Sequence, residues 1–92
     1  MALDPDRLDE LLAAAFAGGA AERRVVVRQA VDLDDSGQYE RDCDVTLTAA
    51  VVVDELGDAP DESVVNRWNW WIGSLELAFG GYARFGVQAY RT

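Results

Sequence analysis

The stretch from residue 59 to residue 79 constrains the fold more than any other part of the chain. Val64, Val65, Trp68, Trp71, Ile72, Leu75, Ala78 and Phe79 recur there at helical spacing and make one broad apolar face. Two indoles on that face demand burial, at about 150–250 Å² of ring surface each. The rest of a small domain therefore has to be laid against this helix. Asp58 can cap it, Pro60 fits its first turn, Asp61 and Glu62 lie near the positive end of its dipole, and Gly80-Gly81 end it.

Residues 4–17 read as a second helix. Asp4 is a good N-cap and Pro5 suits the first helical position. Leu8, Leu11, Leu12, Ala15 and Phe16 form its apolar stripe, and Gly18-Gly19 close it.

The middle of the chain alternates instead. In residues 23–33, Val25, Val27, Val31 and Leu33 fall in one row with Gln29 as the exception, and Val26, Arg28, Ala30 and Asp32 in the other. In residues 39–53, Val45, Leu47, Ala49, Val51 and Val53 share a row. Asp34-Asp35-Ser36-Gly37 between the two runs has turn chemistry, so a β-hairpin is expected. Residues 82–90 alternate again and suggest a third strand. The expected fold is α+β: a single domain over residues 1–92, order αββαβ, as a two-layer sandwich. Its three-stranded mixed sheet carries two helices on one face.

Composition bears on function more than on fold. The 92 residues include no His, no Lys and one Cys, Cys43. That removes Ser-His-Asp triads, Cys-His pairs, imidazole ligands, Schiff bases and a P-loop lysine, and one thiol makes no internal disulfide or zinc cluster. Cys43 lacks a His or Lys to lower its pKa. The chain reads as a non-enzyme without a cofactor. Its N-terminus is acidic where a signal peptide is basic, and no apolar run reaches the ~20 residues of a membrane span. A soluble, cytoplasmic protein is expected.

The formal charge is −9, with 17 acidic residues against 8 basic ones. Every cation is Arg. An Asp-rich, Lys-free chain of this kind resembles the cytosolic proteins of salt-in haloarchaea, where molar salt screens self-repulsion. A high-GC coding bias gives a similar Arg-for-Lys exchange.

Two groups of residues are candidate sites. Trp70 and Leu77, with Gly73 between them, make an apolar ridge about 200° around the long helix from Trp68. Burial under a loop and use as a docking surface are both open for it. On the expected sheet, the face away from the helices carries Arg28, Tyr82, Arg84 and Tyr90, a surface for sheet-to-sheet pairing. Base stacking by these residues ranks lower, because the chain has no basic stripe for phosphates.

Asp32, Asp34 and Ser36, followed by Gly37, match the start of a calcium loop, and Glu40 could add an oxygen. Cys43 stands where the bidentate Glu belongs, so an ordinary hairpin turn is the better reading. The acidic clusters Asp32/Asp34/Asp35 and Glu55/Asp58/Asp61/Glu62 fall in turns and at a helix start, where solvated carboxylates are the default. Glu76 reads as solvent-facing. The leading expectation is a small, acidic, salt-adapted interaction or assembly domain, self-associating as a homodimer. A cation or small-ligand module using the acidic turn is the alternative, and a nucleic-acid-binding regulator ranks last.

Overall fold

The computed structural model describes residues 3–87 and is all helical there. Five helices follow one another: α1 (Pro5–Ala15), α2 (Ala20–Ser36), α3 (Gln38–Cys43), α4 (Ala49–Leu56) and α5 (Val64–Phe79). A single 3₁₀ turn, Ala83–Phe85, lies in a strap of residues 81–87 that folds back over α5. Among the described residues no strand forms; an isolated parallel bridge joins Ala17 to Ser63. The α+β sandwich and its three-stranded sheet are therefore not the fold of this chain.

The first and last helices form where their apolar stripes place them, although Ala15, Ala78 and Phe79 at the ends of those stripes are exposed. Asp4 caps α1 through Oδ1, which accepts from the N–H groups of Asp6 at 3.0 Å and Arg7 at 3.3 Å. Leu8 and Leu12 are buried on its inner side. Helix α5 starts a few residues later than expected. Ser63, not Asp58, caps it, with Oγ accepting from Asn66 N–H at 3.5 Å. Gly80, at φ 80°, ends it.

The middle of the chain departs from expectation because its valines fit two periods. In α2, Val26, Ala30 and Leu33 are buried at i, i+4 and i+7. Arg24, Arg28, Asp32 and Asp35 are exposed at matching helical intervals. A β-branched residue costs a helix only about 0.5 kcal/mol against Ala. Burying one Val or Leu returns about 1.5–3 kcal/mol, so packing overrides the strand preference. The expected hairpin turn is the junction of two helices. Gly37, at φ 71°, ends α2 with its N–H on Asp34 O, and α3 starts at once.

The second expected strand splits into α3, an extended connector and α4. Asp44 leaves α3 at φ 56°, a left-handed conformation that Asp tolerates better than most residues. Thr48 caps α4, its Oγ1 accepting from Val51 N–H at 3.2 Å. Ala49, Val52 and Leu56 then turn inward.

Helix α1 packs on α2 and α4, and α2 and α4 both pack on α5. Trp68 sits fully buried within this arrangement, edge-on to Trp71 at 5.4 Å, and Tyr39 meets Trp71 edge-on at 5.5 Å. Arg67 closes the end of α4: its Nη1 donates to Leu56 O at 2.8 Å and Ala59 O at 3.2 Å, and its guanidinium lies 4.4 Å above the Phe16 ring. No helix among the described residues is long and apolar enough to cross a membrane.

Candidate functional site

Residues 68–71, Trp-Asn-Trp-Trp, lie on α5, where successive side chains are about 100° apart. The four therefore face different directions and do different things. Trp68 and Trp71 enter the core. Trp68 also uses its polar edge, with Nε1–H donating to Phe85 O at 2.8 Å. Asn69 points at the strap. Its Nδ2 donates to Val87 O at 3.0 Å, and its Oδ1 accepts from Val87 N–H at 2.8 Å. Trp70 turns to solvent, 41% exposed.

The strap is held along its length. Gln38 donates from Nε2 to Gly81 O at 2.9 Å, and Gln29 donates from Nε2 to Gly86 O at 3.1 Å. Glu76 Oε1 accepts from Tyr82 N–H at 2.8 Å and Ala83 N–H at 2.9 Å. Those two N–H donors hold the Glu76 carboxyl below the usual carboxylate pKa. Tyr82 is fully buried and donates from its hydroxyl to Asp42 Oδ2 at 2.8 Å. Burial, then the Asp42 carboxylate, pushes the Tyr82 phenol well above its ordinary pKa.

Trp70 belongs to the outer face of α5 with Asn66, Gly73, Ser74 and Leu77, all exposed. Leu77 is 91% exposed. None of these five residues is charged. A Cβ placed on Gly73 would meet nothing within 4 Å among the described residues, so none of their segments crowds this position.

The other candidate residues are dispersed. Without a sheet, Arg28, Tyr82 and Arg84 form no common outer face. Arg28 is exposed on α2, and Tyr82 is a core residue. Arg84 is exposed on the strap, donates from Nη2 to Gln38 Oε1 at 2.9 Å, and lies 4.6 Å over the Phe85 ring. Tyr90 lies outside the described residues.

Asp32, Asp34 and Ser36 are in the last turns of α2, and Glu40 is in α3. Asp34 Oδ2 accepts from Leu3 N–H at 3.3 Å, while Ser36 Oγ donates to Leu33 O at 2.6 Å. A helix spreads Asp32 and Asp34 about 200° apart, where a calcium loop would converge them. Among the described residues no group of three or more Asp, Glu or Cys side chains is placed to hold a metal ion. Burial raises the Cys43 thiol pKa. Asp61 is lowered instead, chiefly by Ser63 N–H and then by the Asn66 amide, in the turn that starts α5.

Sequence reading missed the polar residues that hold the strap: Gln29, Gln38, Asn69 and Glu76. One had a signal. Gln29 interrupts an otherwise apolar row, which marks a half-buried polar side chain with a partner to find.

These features define a small all-α domain whose last described segment is strapped to a tryptophan-bearing helix. The chain belongs to the WNWW domain family, whose model matches residues 1–76 and so takes in Trp68-Asn69-Trp70-Trp71. No curated protein and no solved structure matches it.

Proposed function

We propose that this domain works by non-catalytic protein–protein contact through the outer face of α5, and that its first partner is a second copy of itself. One observation carries the reading. On a chain of formal charge −9, Trp70 and Leu77 are exposed on a helix face without a single charge. Exposed aromatic and aliphatic side chains grouped on an otherwise charged surface mark interfaces. Gly73 adds support. Gly in a helix costs about 1 kcal/mol against Ala, and no contact among the described residues accounts for it here. An uncharged face is also where two strongly acidic copies approach with least repulsion. A cytoplasmic location and adaptation to high salt go with this reading, supported by the acidic, Lys-free composition.

The test is absolute mass by light scattering on a sizing column, in molar KCl and at low salt. A dimer that strengthens with salt is expected, because screening relieves the repulsion between like-charged copies. Trp70→Ala should shift the species toward monomer and leave the unfolding midpoint nearly unchanged. A monomer at every concentration, or a dimer indifferent to Trp70→Ala, refutes the proposal.

A further inference from the structure

We propose that Gln29, Trp68 and Asn69 form a clamp for a peptide main chain that leaves a 3₁₀ turn into an extended residue, and that the chain's own residues 85–87 occupy it as an intramolecular ligand. The site is separate from the outer face of α5, since Trp68 lies about 200° around the helix from Trp70.

Three consecutive carbonyls each receive a side-chain donor. Phe85 O takes the Trp68 indole N–H at 2.8 Å, Gly86 O takes Gln29 Nε2 at 3.1 Å, and Val87 O takes Asn69 Nδ2 at 3.0 Å. Asn69 Oδ1 completes the set by accepting Val87 N–H at 2.8 Å. None of these four bonds involves a strap side chain. The Asn69 amide pairs with both polar groups of Val87, as a residue on a neighbouring strand does. Two helices thus offer this main chain bonds of the kind a sheet edge offers in strand addition, where main-chain bonds give affinity and side-chain pockets give selectivity.

The selectivity is visible in the occupant. Phe85 is buried, 6.3 Å from the Tyr82 ring. At Gly86 an added Cβ would sit 3.5 Å from Asn69 Oδ1 and 3.9 Å from Ile72 Cγ2, with Ala83 O at 3.3 Å. The clamp takes an aromatic residue that closes a 3₁₀ turn, then a small residue in extended conformation, then an aliphatic one.

Two experiments on the full chain test this. In Gln29→Met with Asn69→Leu, shapes are nearly kept and three of the four bonds are removed. Exchange at the Val87 amide should accelerate by about tenfold or more, the change that losing ordinary hydrogen bonds produces, while amides in α1 and α4 keep their protection. Unchanged exchange at Val87 overturns the proposal. In Phe85→Ala the occupant loses its buried ring and the donors remain. The synthetic peptide Gly-Tyr-Ala-Arg-Phe-Gly-Val, added in trans, should then shift the Trp68 indole and Asn69 amide NMR signals saturably. The same peptide N-methylated at its Val should not, and the parent protein should not respond to either. Absence of a saturable shift in Phe85→Ala overturns the peptide-site reading. If that variant does not fold, Phe85→Leu replaces it in the same titration.

Discussion

Trp68 and Trp70 are two residues apart in one motif, yet the structure assigns them opposite thermodynamic roles, and the same substitution at each measures the difference. Trp68→Phe removes the indole N–H that pairs with Phe85 O inside the core. A buried carbonyl left without a partner costs about 1–3 kcal/mol. The smaller ring also leaves a void next to Trp71, whose centroid is 5.4 Å away. Truncating a buried Trp to Ala costs about 3–5 kcal/mol; Phe keeps most of the packing, so about 1–2 kcal/mol of that applies. The sum is about 2–5 kcal/mol, a large share of the roughly 5–15 kcal/mol that holds a typical domain together. Trp70→Phe alters a ring that is 41% exposed and makes no side-chain hydrogen bond to the strap; its effect should stay within about 0.5 kcal/mol. The assay is chemical unfolding in molar KCl followed by far-UV circular dichroism, which does not depend on either indole as a probe. With a slope of about 1 kcal/mol per molar urea for a small domain, the Trp68 variant should lose about 2 M or more in midpoint and the Trp70 variant almost none. Equal shifts, or a larger one at Trp70, would refute the assignment of core and surface within the motif.

Two further outcomes follow from single side chains. Gly73→Ala adds a methyl to an exposed helical position with no described residue within 4 Å. It should raise stability by about 1 kcal/mol through helix propensity, read as a higher thermal midpoint, and a destabilised variant would show that the position is constrained. Glu76 accepts two strap N–H bonds, which hold its folded pKa below the ordinary glutamate value of 4.5. Its contribution to stability is therefore complete above that value and is lost as pH falls through the folded pKa. Glu76→Gln should flatten this part of the stability–pH curve below pH 4.5, and two parallel curves in denaturant titrations across that range would contradict the role given to the carboxylate.

The motif's surface was open to sequence reasoning in part. Periodicity places Trp68 and Trp71 together and Trp70 with Leu77 on another side of one helix, because those relations are local to α5. The clamp was not readable. Asn69 meets a residue 18 positions away and Gln29 one 57 positions away, and nothing local announces either partner. Glu76 looked solvent-facing for the same reason: its partners, Tyr82 and Ala83, follow two glycines that reverse the chain.

Caps and uninterrupted apolar stripes decide an element when every local preference agrees, as at Asp4-Pro5 with Leu8 and Leu12, and at Trp68, Trp71 and Leu75. In residues 23–33 and 49–53 they do not agree. The valines serve a pleated row and a helical stripe equally well, and their strand preference is worth only a few tenths of a kcal/mol apiece. The apolar face of α5 breaks that tie. It buries more surface against the stripes Val26, Ala30, Leu33 and Ala49, Val52, Leu56 than local preference can offset, so both segments are helical. Chain chemistry alone thus settled the acidic composition, the first and last helices and the grouping of Trp70 with Leu77 on one side of α5; that this ridge is exposed, only the tertiary structure decided. Long-range burial and hydrogen bonds between distant residues settled the middle helices and the clamp, because their energies exist only once the chain has closed on itself.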